Sequence, residues 1–448
     1  MDLISDWHGL LRPDEELTAR FTAAFATAMK ARKLTFGQRV HCPFLRPFFL
    51  TSADEARIRT AAETIATLGE RVVQAAFDSD EIYHQLGVSE AEDALVDIEP
   101  GYSTASTTSR LDAFLLPDTL HFAEYNAESP AGIGYTQRLC ELFDSTAAMS
   151  RFKETRQVHF HKVIDKLLAA LMASYAEWGG TATPPTMAIV DFRDVPTWTE
   201  FEILREAFIA AGVPTIVCDP RELVYANGTL SAQGTRIDLV YRRVLVNDIL
   251  AKPAECAALV DACRDRAVCM ANSFRCKLAH KKAFFAVLTD PANASIFSPA
   301  ERDVIRAHVP WTRVLDDVET HKGDWHGELL ELIRAWREHL VLKPNDEYGG
   351  KGVNLGWEMT PTQWDSAITS ALDDPYGTWV VQERIPVRRE VFPQFDGAGR
   401  ITMNDMLVDL APYLFRGSMG GYLTRLSASG LANVTSGGGQ VPAFIVDQ

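Results

Sequence analysis

Paired-cysteine chemistry is the first thing this 448-residue chain lacks. Its seven cysteines, Cys42, Cys140, Cys218, Cys256, Cys263, Cys269 and Cys276, are odd in number and form no C-x-x-C, so neither a zinc clip nor a dithiol redox pair is indicated. Reduced, buried thiols are expected, the last four spaced so that they could line one side of a helical segment. A basic excess is missing as well. The 44 Lys and Arg against 60 Asp and Glu leave a net charge of −16, which argues against the counterion-releasing footprint of a nucleic-acid binder. No apolar run approaches the roughly 20 residues that span a bilayer, and Met1 to Asp6 carry acid where a signal peptide needs Lys or Arg. A cytoplasmic protein without nucleic-acid or membrane partners is the expectation. Internal repeats and low-complexity tracts are also absent. So are the Walker A pattern, a G-x-G-x-x-G after the first strand of the βαβ unit described below, and the H-R-D and D-F-G motifs of protein kinases.

What is present is a core-forming chain, 47% hydrophobic, long enough for two to four packed units at about 100 to 200 residues each. Apolar residues at helical spacing run through 14–33 and 53–77, for example Ile58, Ala62, Ile65 and Val72, and predict a mainly helical segment over 1–100. From Arg110 the pattern changes to two short strands, 110–115 and 120–126, around the turn residues Pro117-Asp118. Residues 157–178 place Val163, Ile164, Leu167, Leu168, Leu171 and Tyr175 on one helical stripe that stops at Gly179-Gly180. His159-x-His161 falls inside that helix and reads as surface histidines, because i,i+2 residues do not share a helix face. Met187 to Asp191, then a face of Phe201, Leu204, Phe208 and Ala211, then Val213 to Val217 read as strand, helix and strand, and Asp238 to Tyr241 adds a strand to the same parallel sheet. A small Rossmann-like domain is predicted there.

Two constellations carry chemistry. The first is Leu340-Val341-Leu342, a short strand, running into Lys343-Pro344-Asn345-Asp346-Glu347-Tyr348-Gly349-Gly350-Lys351-Gly352-Val353. A lysine at a strand end supplies a point charge for phosphate oxygens, and glycines let backbone N–H groups approach them. A glycine hairpin with a solvated lysine is the alternative. Strand lysine first and glycine loop second is the ATP-grasp order, and Trp379 to Ile385, a β-rich run with polar residues at its end, suits a hinge that reads adenine. Ser436-Gly437-Gly438-Gly439 reads as a connector before the last strand or as a second phosphate cradle.

The second constellation is Arg110-Leu111-Asp112 with Glu124-Tyr125-Asn126. A bend at Pro117-Asp118-Thr119 sets Asp112 opposite Glu124 and Arg110 opposite Asn126, all four on one side. Facing carboxylates repel unless a cation lies between them, and Asp, Glu and Asn oxygens suit Mg²⁺. Arg110 could hold a phosphate or a developing acyl-phosphate oxygen. The alternative is a solvated hairpin in which Arg110 neutralises the acids.

Taken together these residues resemble the circularly permuted ATP-grasp family, including the synthetase domain of glutathionylspermidine synthase. R-x-D, then E-x-N followed by Ala127-Glu128-Ser129-Pro130, precedes the lysine and glycine loop, which is the permuted order. Val309 to Arg313, Val381-Gln382-Glu383 and Gly420 to Arg425 extend the resemblance from about residue 100 to the end. It implies Asp112, Glu124 and Asn126 as Mg²⁺ ligands, Arg110 and Arg425 at the transferred phosphate, and Lys343 with the loop Gly349, Gly350, Lys351 and Gly352 on the nucleotide phosphates. Gln382, Glu383 and Ile385 would surround adenine, and Glu390 would approach the ribose. A second ATP lysine is expected upstream, where Lys282 and Lys322 both qualify.

The implied fold is α/β, a circularly permuted ATP-grasp with a Rossmann-like pre-ATP-grasp domain. Its parts are a helical segment over 1–100, a metal-binding part over 101–150, the Rossmann-like domain over 151–272, a nucleotide lobe over 273–390 and a completing part over 391–448. The implied activity is an ATP- and Mg²⁺-dependent ligase that activates a small carboxylate as an acyl phosphate for attack by an amine, both partners being amino-acid or peptide-like. A small-molecule kinase and a non-catalytic ATP-binding protein remain alternatives. The amidase activity of the bifunctional synthase is not carried over.

Overall fold

The computed structural model describes residues 3–11, 18–36, 39–347, 349–375, 377–428 and 438–447. The helix Ser52–Asp78 starts at Thr51, whose hydroxyl accepts from the Asp54 amide, and it buries Ile58, Ala62, Ile65 and Val72 on the stripe that their spacing predicts. Ala19–Ala31 is capped in the same way by Thr18. The first hundred residues also contain strands. Phe48–Thr51 runs parallel to Ala443–Val446 near the other end of the chain, and that strand pairs antiparallel with Val158–His159.

That last pairing shortens the helix expected over 157–178, which is Val163–Trp178. Val158 and His159 instead give their backbone groups to Val446 and Ile445, a ladder that only the folded chain provides. The His159 and His161 rings come within 6.1 Å of each other, and each faces a carboxylate: His161 lies 2.6 Å from Glu55 and His159 lies 3.8 Å from Asp447.

Four parallel strands follow in the order Cys269–Ala271, Leu239–Arg242, Met187–Val190 and Thr215–Cys218, with the helix Trp198–Ala210 crossing between the last two. Nearly every residue of these strands is buried, as a parallel sheet covered on both faces requires. The cysteines do not share one helical side. Cys256 and Cys263 lie on Pro253–Arg264, Cys269 lies on a strand and Cys276 opens the short helix Cys276–His280, because the chain reverses between them. All seven are buried free thiols.

Two further sheets frame a cleft. One is antiparallel, in the order Thr312–Val314, Trp379–Glu383, Leu340–Pro344 and Asn354–Leu355, with its own core of Leu329, Leu332, Ile333, Trp364, Ile368 and Val381. The other is built on the long strand Ile401–Phe415. Its first half pairs with Arg388–Phe395, its second half pairs with Ser418–Ser427, and its last three residues also pair with the start of Thr108–Leu115. The hairpin Thr108–Leu115 and Leu120–Asn126 is therefore an integral edge of a sheet completed 300 residues later. Among the described residues no helix is long and apolar enough to cross a membrane.

Candidate active site

The two sheets enclose a cavity of about 410 Å³. Lys343, Val341, Gln382 and the glycine loop line one wall; Asp112, Glu124, Asp409 and Arg425 line the other. Glu383, Arg384, Ile385, Pro386 and Val387 close the end where the chain passes between the sheets.

Lys343 stands on the strand Leu340–Pro344, and its ammonium donates to Gln382 Oε1 at 2.7 Å and to the Ala123 carbonyl at 3.4 Å. Burial pushes that ammonium down to about 8, with Glu124 opposing the shift and Lys282 adding to it. Lys282 enters from the opposite side of the loop, donating to the Glu347 carbonyl and lying 3.7 Å from Glu124. Lys322, the other candidate, is instead paired with Glu383 at 2.7 Å and lies over the Trp311 and Trp336 rings. In the loop itself Gly349, Gly350 and Gly352 all have positive φ, and a Cβ at Gly352 would come within 2.7 Å of Pro344. The side chains of Glu347 and Lys351 pair at 2.8 Å across the turn.

On the facing wall the hairpin register sets Asp112 opposite Glu124 and Arg110 opposite Asn126. The turn is the two-residue Pro117-Asp118, closed by Leu116 N–H on the Thr119 carbonyl, which is one residue shorter than the expected bend. A bulge restores the pairing: the register jumps between Asp112 and Ala113, leaving Ala123 without a cross-strand partner.

Asp112 accepts from Arg110 Nε at 2.8 Å and Arg425 Nη2 at 2.5 Å. Burial pushes its carboxyl up, but the two guanidiniums outweigh burial and hold it well below the usual range. Asp409 shares Arg425, and its other oxygen accepts from Ala113 N–H at 3.3 Å. Its carboxyl is pushed up to about 6 by burial, against Arg425, with the Asp112 charge adding to the rise. Glu124 accepts from Asn126 Nδ2 at 3.0 Å.

Not every expected residue reaches the cavity wall. Arg110 lies behind Asp112 and donates to the Ala131 carbonyl at 3.1 Å. Glu390 alternates to the far side of its strand, where it pairs with the buried Arg46 at 2.7 Å and with Arg388, while its neighbour Arg389 lines the cavity. Asn126 and Gly352 sit just outside the lining. Of the Ser436 to Gly439 run, Ser436 and Gly437 lie outside the described residues, and Gly439 opens the strand Gly439–Val441. Sequence reasoning missed Asp409, although a lone carboxylate in Met406-Leu407-Val408-Asp409-Leu410-Ala411 was the available signal. A buried acid in an apolar strand needs a partner, and its register partner is Arg425.

Among the described residues no three His, Cys, Asp or Glu side chains close around a cation. Hard oxygen donors from Glu124 and Asn126, with Asp112 beside them, still fit Mg²⁺, which binds through one or two carboxylates and completes its shell with substrate phosphates and water.

Residues 117–435 match the family described as circularly permuted ATP-grasp type 2. The chain belongs to that family. The permuted ATP-grasp accounts for the hairpin joining the C-terminal sheet ahead of the lysine and loop. Two Frankia proteins described as putative glutamate–cysteine ligases are similar to it. The Frankia alni protein is 26% identical, covering 47% of this chain and 23% of that protein. The Frankia casuarinae protein is 23% identical, covering 72% of this chain and 36% of that protein. The chain thus matches about a quarter to a third of their lengths. A glutathione synthetase-like effector of Globodera pallida has a similar fold, with a TM-score of 0.61 over 97% of this chain and 98% of that one at 11% identity.

Proposed function

We propose that this permuted ATP-grasp protein is an ATP-dependent carboxylate–amine ligase. The observation that carries the reading is the cavity in which Lys343, Lys282 and the glycine loop face Asp112, Glu124, Asp409 and Arg425, with no activated Ser or Cys nucleophile among its lining residues. Such a site works by positioning and charge neutralisation.

In this reading Lys343 and Lys282 hold the nucleotide phosphates, the N–H groups around Gly349 and Gly350 approach them, and the 383–387 hinge with Val341 and Leu407 accepts adenine. Glu124 and Asn126, with Asp112, would hold Mg²⁺, which neutralises phosphate charge when bound. Arg425, which lines the cavity between Asp112 and Asp409, would meet the transferred phosphate, and Arg110 keeps Asp112 ionised and in place. A carboxylate oxygen of the substrate attacks the γ-phosphorus as the bond to the β-phosphate oxygen breaks, giving an acyl phosphate and ADP. The amine nitrogen then attacks the acyl carbon, and the bond from that carbon to the bridging oxygen breaks, so that phosphate leaves with the carboxylate oxygen that attacked phosphorus. The carbonyl oxygen stays in the amide, and the amine gives up a proton.

The names of the Frankia relatives favour amino-acid-like substrates, glutamate-like carboxylates and cysteine-like amines first among them. The domain reading proposed from the sequence is kept: a mainly helical segment over 1–100, the metal-binding part of the ATP-grasp over 101–150, a Rossmann-like pre-ATP-grasp domain over 151–272, a nucleotide-binding lobe over 273–390 and a part completing the ATP-grasp over 391–448. The test is release of ADP with a panel of amino-acid and dipeptide carboxylates, each with and without amines. Carboxylate-dependent ADP release that an amine accelerates, with an amide product, supports the ligase. A stable phosphorylated product in the presence of amines makes the protein a kinase, and no turnover despite nucleotide binding makes it a binding protein.

A further inference from the structure

A charge cluster outside the cavity grips the root of the glycine loop. Lys277 and Lys281, four residues apart, reach the two oxygens of Asp346 separately: Lys277 Nζ lies 2.7 Å from Oδ1 and Lys281 Nζ lies 3.0 Å from Oδ2. Both lysines are buried, and both are anchored away from the loop. Lys281 donates to both oxygens of Glu92 at 2.7 and 2.9 Å, and Lys277 donates to Glu128 at 3.4 Å and Asn247 at 3.1 Å. Glu128 is in turn paired with the buried Arg242 at 2.9 Å. Three cations, Lys277, Lys281 and Arg242, thus balance three anions, Glu92, Glu128 and Asp346.

The residues on either side of Asp346 are held by the same stretch of chain. Lys282 N–H donates to the Asn345 carbonyl at 3.0 Å, Ala283 N–H donates to Asn345 Oδ1 at 2.8 Å, and the Lys282 ammonium donates to the Glu347 carbonyl. Asn345 Nδ2 donates to the Leu86 carbonyl at 2.8 Å and to Thr378 Oγ1 at 2.7 Å. Residues 281–283 are therefore zipped to residues 345–347, immediately before the glycines. Asp346 does not line the cavity, whereas Glu347, Gly349, Gly350 and Lys351 do.

We propose that Asp346 is a positioning residue for nucleotide binding: held by Lys277 and Lys281, it fixes the direction in which the glycine loop leaves its strand and so sets the affinity for the phosphates. The inference rests on the nucleotide reading of the cavity. Its physical basis is preorganisation. Loop glycines have the widest backbone freedom, and a fixed root removes part of the ordering cost that binding would otherwise carry. Two buried ammonium groups on one carboxylate hold it more firmly than any neutral pair could.

The test is calorimetric titration of the full chain with a non-hydrolysable ATP analogue and Mg²⁺, alongside thermal unfolding. Asp346→Asn should weaken binding about tenfold or more. Glu92→Gln disturbs the same buried lysine on the side away from the loop, so it should lower the melting temperature comparably while leaving affinity within twofold. Lys281→Gln, which takes one of the two ammonium groups off Asp346, provides a milder version, with affinity falling about threefold, should Asp346→Asn not fold. Wild-type binding with unchanged affinity in Asp346→Asn, or in Lys281→Gln where that variant stands in, would overturn the proposal alone. Equal loss in Glu92→Gln would also overturn it, by showing general destabilisation. Failure of the wild type to bind the analogue would instead take down the nucleotide reading and the clamp with it.

Discussion

The ammonium of Lys343 lies 3.4 Å from the carbonyl oxygen of Ala123, the residue that the hairpin register skips. A bulge turns a backbone carbonyl out of its ladder, and here it turns one across the cleft towards the opposing sheet. The strand that carries the candidate phosphate lysine and the strand that carries Glu124 are thereby tied at the cavity itself. The other bond of Lys343, to Gln382, ties it to the neighbouring strand of its own sheet. The lysine is held in place by two neutral acceptors and leaves its charge for an anion.

Lys343→Ala should therefore weaken nucleotide binding or slow turnover by about 2 kcal/mol or more, the scale for losing a charged partner in a partly desolvated pair. Calorimetric affinity and turnover both within twofold of wild type would return Lys343 to an ordinary strand-end lysine.

Glu124 and Asp112 face each other in register, yet they should behave differently on neutralisation. Glu124 meets the Asn126 amide and, only at 3.7 Å and partly in solvent, the Lys282 ammonium, so Glu124→Gln is expected to abolish turnover with the melting temperature little changed. Asp112 is the shared counterion of Arg110 and Arg425, and Asp112→Asn leaves two buried guanidiniums short of an anion. Breaking a buried pair by removing one partner costs on the order of 3–5 kcal/mol, so this variant should lose stability as well as activity. Equal melting temperatures for the two variants would contradict the arrangement.

The hairpin was legible in sequence because strand alternation and a proline turn are local signals. Its register was legible for a less direct reason: the real turn is one residue shorter than the expected bend, and the bulge at Ala123 adds that residue back. Three strands of the parallel sheet were equally readable, since Met187–Val190, Trp198–Ala210 and Thr215–Cys218 make one βαβ step within about 30 residues and Leu239–Arg242 is a short apolar run, whereas the fourth strand, Cys269–Ala271, was not read. What sequence could not reveal depends on distant parts of the chain. Phe48–Thr51 becomes a strand because Ala443–Val446 lies beside it, and Val158 and His159 leave their predicted helix for the same strand. Glu390 faces away from the cavity because the register of Arg388–Phe395 against Ile401–Phe415 sends Arg389 inward.

Asp191 ends the strand Met187–Val190, and burial pushes its carboxyl up to about 7 against the pull of Arg243. A raised carboxyl means that the folded state holds a proton the unfolded chain has already lost. Its contribution is therefore fully favourable only below about pH 4, and stability falls as pH rises from there through about 7. Asp191→Asn should remove this penalty, raising the melting temperature at pH 8 and leaving it unchanged near pH 4. Denaturant melts across that range check the sign; a variant that is less stable at pH 8 would show that Arg243 outweighs burial.

The last prediction concerns where an oxygen atom goes. If the carboxylate attacks the γ-phosphorus, the attacking oxygen becomes the bridge of the acyl phosphate and leaves with phosphate when the amine attacks. Substrate labelled with oxygen-18 in its carboxylate should therefore transfer one labelled atom to each phosphate released, in equal amount to ADP and amide. A cavity lined by Lys343, Lys282, Arg425 and Glu124, in the proposed reading the seat of the terminal phosphate, predicts this outcome, since no side-chain nucleophile is needed to carry the phosphoryl group. Mass spectrometry of the phosphate decides it. Label found in AMP, with pyrophosphate released, would mean that the carboxylate attacks the α-phosphorus and that the adenylate is the activated species. Unlabelled phosphate would mean hydrolysis of ATP without activation of the carboxylate, and the ligase mechanism would fall.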